Sequence, residues 1–98
     1  MIARVTMARS QPGSTDEFIR VVQEGFLSAA RQQPGFQGFL LLTEPGTGNH
    51  IGISLWASEA DAQASEAPSG YYQAQLEQLT RLQAAPPTHA LYEVNVQE

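Results

Sequence analysis

Two periodicities of apolar residues divide the first third of the chain into a strand and a helix. Residues 1–8 alternate between two sides, which is typical of a β-strand. After a break rich in glycine and proline, Ser14 followed by Glu17 has the spacing of a capping box, so a helix is expected to begin there and to end at Pro34–Gly35. Apolar residues three and four apart make its buried stripe: Phe18, Ile19, Val22, Phe26, Ala29 and Ala30.

The middle of the chain predicts a β-hairpin. Residues 36–43 and 50–57 have the composition of strands, and the segment 44–49 between them, "EPGTGN", carries the residue types that favour turns. The two strands are therefore expected to pair directly with each other.

An interrupted helix and a last strand are predicted for the second half. Ser58, with Asp61 three residues later, is expected to begin the helix, and Pro68 interrupts it. Ser69–Gly70 is expected to cap a second helical segment whose apolar stripe consists of Tyr72, Leu76, Leu79 and Leu82. Residues 89–96, "HALYEVNV", alternate again and predict a fourth strand.

This order of elements, βαββαβ, predicts the fold class. A chain of 98 residues with this order is expected to form one α+β domain, residues 1–98, with the ferredoxin-like arrangement. In that arrangement a four-stranded antiparallel sheet, in the order 4-1-3-2, carries both helices on one face. The other face of the sheet has no element of this chain to cover it.

The uncovered face is predicted to be apolar. In the second strand Phe36, Leu40 and Leu42 occupy one parity, and Phe39 and Leu41 occupy the other. Large exposed apolar surfaces are rare on monomers, and the simplest cover is a second copy of the chain. The sequence therefore predicts a homodimer joined through the sheet faces.

Composition narrows the range of other partners. The net charge is -5, and the five basic residues are scattered arginines, so nucleic acid and anionic membranes are not expected partners. Cysteine is absent, which removes disulfides and thiolate chemistry. With no signal-like or membrane-spanning apolar run, a cytoplasmic location is expected.

Four motifs in order carry a family resemblance over nearly the whole chain. They are "PGFQGFLLL", "ISLWASEADAQAS", "GYYQAQL" and a terminal "YEV". In this order and spacing the chain resembles the antibiotic biosynthesis monooxygenase domain family. The resemblance implies a ferredoxin-like fold, a homodimer that forms an α+β barrel, and a pocket between sheet and helices. Some members of that family oxygenate polycyclic phenols without metal or flavin, and others degrade haem.

Haem and metal chemistry are not expected here. The haem-degrading members use an asparagine in the first strand and a histidine in the second helix, and this chain has neither at those places. Its two histidines, His50 and His89, begin the third and fourth strands, where they are expected to be solvated and two strand widths apart. No cofactor is therefore predicted.

The resemblance and the aromatic residues suggest where a pocket would lie. Trp56 matches the family's tryptophan and is expected either to form a pocket wall with a free indole N–H or to be a core residue. Tyr72 continues the buried helical stripe, whereas Tyr71 is expected at the rim or at the dimer interface, because adjacent helical residues point about 100° apart.

A cofactor-free oxygenase needs a base that ionises the phenol and hydrogen-bond donors that hold the resulting anion. The polar strand residues that qualify are Arg4, Thr6, Ser54, Glu93 and Asn95, although Arg4 and Glu93 could instead form a cross-strand ion pair. The predicted catalytic residues are Trp56, Tyr72 and Arg4, and the predicted substrate-binding residues are Phe26, Phe39, Leu76 and Asn95.

Two functional hypotheses follow. The first is cofactor-independent oxidation of a small hydrophobic or aromatic substrate between sheet and helices. The second is a non-catalytic dimeric module that binds a small apolar ligand or has a structural role. A closed pocket of about 300 Å³ or more beside Trp56 is the feature that would favour the first.

Overall fold

The fold comes from a computed structural model of the chain, which describes residues 1–67 and 70–98. In this part of the chain the elements follow the predicted order, with the first helix divided by a π-helical turn. The strands are β1 (Ile2–Arg9), β2 (Phe36–Thr43), β3 (Asn49–Trp56) and β4 (Thr88–Glu93). The helices are α1 (Thr15–Val21), the π-helical turn (Val22–Phe26), α2 (Leu27–Ala30), α3 (Glu59–Glu66), α4 (Tyr71–Leu79) and a 3₁₀ turn (Thr80–Leu82).

The four strands form one antiparallel sheet in the order β2-β3-β1-β4, which confirms the predicted ferredoxin-like topology. The register shifts between Phe36 and Gly38, so that Phe36 pairs with Trp56 and Phe39 pairs with Ser54. This β-bulge places the ring of Phe36 on the same face as Phe39, which corrects the predicted parity. A bulge adds one residue to a strand and so reverses which face every earlier side chain occupies.

The helices cover one face of the sheet and bury the core against it. The π-helical turn contributes Val22 and Phe26 to this core, and α4 contributes Tyr71, Tyr72 and Leu79. Gly25 lies between them, where an added Cβ would stand 2.6 Å from the side-chain amide oxygen Oε1 of Gln75. The absence of a side chain at Gly25 therefore allows the first helix to pack closely on α4.

The two predicted helix starts differ in how they are capped. Ser58 caps α3 as expected, because its hydroxyl accepts a hydrogen bond from the Asp61 backbone N–H at 3.1 Å. Ser14 precedes α1 but makes no side-chain cap, so the capping box was wrong in its contacts though right in position. Glu17 instead accepts a hydrogen bond from Arg81 at 3.0 Å, which joins α1 to the 3₁₀ turn. The predicted break at Pro68 and the cap at Ser69 lie outside the described residues.

The last strand is shorter than the alternating pattern indicated. β4 ends at Glu93, which pairs with Ile2 at the beginning of β1. One further hydrogen bond joins the Val94 N–H to the Met1 carbonyl at 3.0 Å. Asn95 lies beyond the start of β1, so it has no neighbouring strand to pair with, and it is exposed.

The sheet face away from the helices is apolar and open. Met7, Leu40, Leu42 and Tyr92 lie on it, each about half exposed, with Leu40 at 55%. Leu40 is opposite Ile53 and Leu42 is opposite Ile51, so the exposed residues belong to continuous apolar rows. This face is the one that the sequence left uncovered.

Within the described part of the chain, the helices are too short or too polar to cross a membrane.

Candidate functional site

A buried arginine lies at the centre of the helix-facing side of the sheet. Arg4 is 2% exposed, and its guanidinium donates hydrogen bonds to the Ser65 hydroxyl at 2.6 Å and to the Tyr71 hydroxyl at 2.7 Å. A longer bond of 3.4 Å reaches the Ala62 carbonyl. A guanidinium has five N–H donors, so two have no acceptor in the described part of the chain.

Three aromatic rings surround this guanidinium. Its central carbon lies 3.9 Å from the ring centre of Tyr72, 5.3 Å from that of Trp56 and 5.7 Å from that of Tyr71. Each ring face attracts the cation, and the attraction is stronger where water is excluded. The rings therefore stabilise a positive charge that would otherwise be costly to bury.

The nearest opposite charge is Glu66, not Glu93. Glu66 Oε1 lies 3.7 Å from Arg4 Nη1 and 3.0 Å from His89 Nε2. The proposed Arg4–Glu93 ion pair was wrong because Arg4 pairs with Leu91 in the sheet, two residues away from Glu93. The guanidinium reaches α3 instead.

Both tyrosines at the start of α4 are buried, which corrects the prediction that Tyr71 lies at a rim. Tyr71 points towards Arg4 and Trp56, whereas the Tyr72 hydroxyl shares a hydrogen bond of 2.8 Å with Thr6. Phe26 makes edge contacts with both rings, so the π-helical turn packs against both tyrosines. Burial raises the pKa of both phenols, against the opposing effects of Arg4 on Tyr71 and of the Thr6 hydrogen bond on Tyr72. Both are therefore neutral hydroxyls near pH 7.

A small cavity lies beside this cluster, between the sheet and the helices. Its volume is about 40 Å³, which is room for a few water molecules and far less than the roughly 300 Å³ of a pocket for an organic ligand. Its lining combines polar residues with aliphatic and aromatic ones. The lining includes Arg4, Thr6, Ser54, Tyr71, Tyr72, Phe26, Phe39, Leu76, His50 and Gln83.

The cavity brings together five of the seven predicted site residues: Arg4, Tyr72, Phe26, Phe39 and Leu76. Trp56 lies behind them, fully buried, with its indole N–H donating to the Ser54 hydroxyl at 2.8 Å. It is a core residue that holds Ser54, not a wall with a free donor. Asn95 is exposed beyond β4 and does not reach the cavity.

Sequence reasoning missed several cavity and support residues. Ser65 and Glu66 were not singled out, although Ala62 and Ser65 are small residues three apart, a spacing that allows a helix to pack closely on the sheet. No sequence pattern indicated Gln83, because it follows the apolar helical stripe in a segment without periodicity.

His50 is buried, which corrects the expectation of a solvated strand end. Its ring is 2% exposed and stacks on Phe18 with centroids 4.3 Å apart. Its ring nitrogens lie 2.9 Å from the Thr43 hydroxyl and 3.1 Å from the Ser10 hydroxyl. Burial lowers the pKa of His50, because the charged imidazolium loses its hydration there.

The lowered pKa of His50 predicts a loss of stability in acid. Below its ordinary pKa of about 6.5, the unfolded chain binds a proton that the buried ring does not, so the free energy of unfolding falls as pH falls. Urea denaturation at pH 7.5 and pH 5.0 should show this loss, and His50→Gln should make it smaller. Ser28→Ala, an exposed and uncharged change on α2, is the control and should leave the loss unchanged. An equal loss in wild type and His50→Gln would contradict the assignment.

Known structures with the same fold include several proteins that are described as oxygenases. ActVA-Orf6, a monooxygenase of Streptomyces coelicolor solved with nanaomycin D, superposes with a TM-score of 0.83 at 15% identity, over 99% of this chain and 89% of that one. SnoaB, a cofactor-independent oxygenase of Streptomyces nogalater, gives a TM-score of 0.80 at 21% identity, over 98% and 94% of the two chains. A putative antibiotic biosynthesis monooxygenase of Nitrosomonas europaea gives a TM-score of 0.78 at 17% identity, over 98% of this chain and 100% of that one.

At these identities the superpositions establish the fold alone, and no curated protein matches the chain by sequence. The family model for antibiotic biosynthesis monooxygenases, however, matches residues 1–77, which include Arg4, Trp56 and both tyrosines of the cluster. The match covers most of the chain and agrees with the fold and with the order of the motifs. The chain therefore belongs to the antibiotic biosynthesis monooxygenase family.

Proposed function

We propose that this protein is a cofactor-independent monooxygenase that oxidises a phenolic, fused-ring aromatic substrate at the cavity between sheet and helices. The observation that carries the proposal is the buried Arg4 guanidinium, which lies against the cavity and keeps two N–H donors without an acceptor in the described part of the chain. A buried, positioned positive charge favours the anionic form of a bound phenol.

The reaction needs only the substrate anion and oxygen. With Arg4 beside it, the phenol loses its proton to water and the electron-rich anion transfers one electron to O₂. The substrate radical and superoxide then combine, which forms a C–O bond to the ring carbon. Loss of the remaining proton from that carbon breaks the O–O bond, so that one oxygen stays as a carbonyl and the other leaves as water. Overall, a ring CH₂ and O₂ give C=O and H₂O.

Each cavity residue has a proposed role in this reaction. Arg4 stabilises the phenolate, and the Tyr71 hydroxyl, which accepts from Arg4, has its own proton free to donate to a substrate oxygen. Tyr72 shields the guanidinium from water, and Trp56 is a positioning residue that orients Ser54. The apolar rings and chains that would contact the substrate are those of Phe26, Phe39 and Leu76.

The closed pocket of about 300 Å³ that was expected beside Trp56 for an oxygenase is not present, so substrate binding requires the cavity of about 40 Å³ to widen. A groove of about 370 Å³ lies outside it, and Leu76 and Gln83 border both spaces. Rotation of these two side chains would join the groove to the cavity. The combined space would then fall in the size range of pockets for organic ligands.

Two comparisons support the proposal. SnoaB is a cofactor-independent oxygenase, and ActVA-Orf6 is a monooxygenase solved with the polycyclic ligand nanaomycin D. For the assembly, we propose a two-fold homodimer joined through the apolar sheet faces, which would bury Leu40, Leu42 and Tyr92. If the activity test shows no oxidation, a non-catalytic role for this dimer is the function that remains.

Oxidation of anthrone in air tests the function. Anthrone carries a CH₂ between its fused rings and ionises to a phenolate-like anion, so its conversion to anthraquinone reports the proposed reaction by absorbance. We expect the purified protein, without added metal or flavin and with chelator present, to exceed the uncatalysed rate by at least about 100-fold. A rate equal to that of heat-denatured protein, for anthrone and for a naphthoquinol, would leave only the non-catalytic role.

A further inference from the structure

Gln83 lies between the inner cavity and the outer groove. Its side chain borders both spaces, as does that of Leu76. Because it follows the 3₁₀ turn at the end of α4, it is on the far side of the cavity from Arg4. It also lies beyond residues 1–77, the part of the chain that the family model matches, so family membership assigns it no role.

The backbone of Gln83 is held firmly. It forms an isolated antiparallel bridge with Ser10, and its carbonyl accepts a hydrogen bond from the Gln11 side chain at 3.1 Å. The neighbouring N–H of Ala84 donates to the Arg9 carbonyl at 2.8 Å. The side chain therefore extends from a fixed point, as a residue that recognises a ligand should.

The amide nitrogen of Gln83 is buried without a hydrogen-bond partner in the described part of the chain. Leaving a buried N–H unpaired is unfavourable, and native proteins seldom do so without a reason. The other polar atoms at this end of the cavity do not relieve it, because His50 is already bonded to Ser10 and Thr43. An oxygen atom of a ligand would satisfy this donor.

We propose that Gln83 is a specificity-determining residue, whose amide N–H donates to an oxygen at the outer end of an elongated, fused-ring substrate while Arg4 binds the oxygen at the inner end. This inference rests on the proposed function, since it assumes an aromatic ligand in the widened cavity. It adds that the preferred ligands carry oxygen at both ends.

The spacing of the two polar ends fits such a ligand. Six residues of chain separate Arg4 from Ser10, the bridge partner of Gln83, which corresponds to about 20 Å at roughly 3.3 Å per residue. The long side chains of Arg4 and Gln83 reach inwards from both ends and shorten this span. The remaining length suits several fused rings rather than a single one.

A matched pair of probes tests the inference. The molecule 2,6-dihydroxyanthraquinone has a hydroxyl at each end, whereas 2-hydroxyanthraquinone has one, which we expect at Arg4. Trp56 is the only tryptophan and contacts both Arg4 and Tyr71, so its fluorescence quenching reports binding. Wild type should bind the two-hydroxyl probe about 3- to 10-fold more tightly, the gain from one neutral hydrogen bond.

Gln83→Met keeps the length of the side chain and removes the donor, so it should abolish this preference and leave binding of the one-hydroxyl probe unaffected. Gln78→Met, an exposed change on α4, is the control and should keep the preference. Removing an unsatisfied buried donor should also leave the urea midpoint of the free protein unchanged or higher.

Three results would overturn the role of Gln83. They are a preference retained in Gln83→Met, equal weakening of both probes together with a lower urea midpoint, or no quenching of wild type by either probe. The proposed function can fail separately. If the probe preference depends on Gln83 but anthrone is not oxidised, only the proposed oxidation is refuted. If anthrone is oxidised but there is no probe preference, only the role of Gln83 is refuted.

Discussion

Replacing Arg4 by methionine is expected to lower the rate of anthrone oxidation by at least about 100-fold, the usual effect of removing a group that stabilises a developing anion. Arg4 is the one cation among the residues that line the cavity in the described part of the chain. Methionine has a similar length and no charge, so it would keep much of the packing. The measurement is the initial rate of anthraquinone formation at saturating oxygen.

Loss of folding must be separated from loss of chemistry. Arg4→Met leaves Glu66 partly buried beside an apolar side chain. Removing one partner of a buried ion pair lowers the free energy of unfolding, and here we expect a loss of about 3 kcal/mol, the low end of the range for such pairs. The double variant Arg4→Met with Glu66→Gln removes the unpaired charge. We expect it to regain most of the free energy of unfolding but none of the rate.

The control for charge is Arg31→Met. Arg31 is exposed just after α2 and lies away from the cavity, so its loss changes the net charge equally without touching the site. Its rate should equal that of wild type. If the double variant at Arg4 and Glu66 oxidises anthrone at the wild-type rate, the guanidinium is not part of the reaction and the proposed mechanism is wrong.

Placing one charge on the apolar sheet face is expected to dissociate the proposed dimer. Leu40 is 55% exposed on this face, in the edge strand β2 and opposite Ile53. In a two-fold dimer Leu40→Glu introduces two carboxylates into one apolar interface, and each buried, unpaired charge costs about 3 kcal/mol or more. The dissociation constant should rise by well over 100-fold.

Light scattering coupled to size-exclusion chromatography measures this directly. Wild type at micromolar concentration should have twice the mass of the 98-residue chain, and Leu40→Glu should have the mass of one chain. Gln37→Glu is the control, because Gln37 is an exposed residue of the same strand at the bulge. A wild-type particle of one chain would refute the dimer through the sheet faces.

Local signals in the sequence predicted most of the elements and their order. Alternation and helical periodicity depend on the geometry of each segment, so they identified the strands, the first helix and the Ser58 cap of α3 without knowledge of neighbours. Five of the seven predicted site residues line the cavity, but strand parity by itself did not show which polar strand residues share a face with Trp56.

The errors share a physical cause, because each depended on contacts between segments distant in the chain. One extra residue at Gln37 reversed the side taken by Phe36, and the start of β1 at Ile2 left Asn95 with no strand to pair with. Tyr71 is buried because α3, β1 and the π-helical turn surround the beginning of α4.

By itself, then, the sequence determined the βαββαβ order, the sheet topology and the surplus of apolar side chains on both faces of the strands. Only the tertiary structure decided that Arg4 meets Glu66, that His50 is enclosed by hydroxyls and that Gln83 borders the cavity. Periodicity records which side of an element is buried. The groups that meet there come from segments up to 67 residues apart, and their pairing is a property of packing.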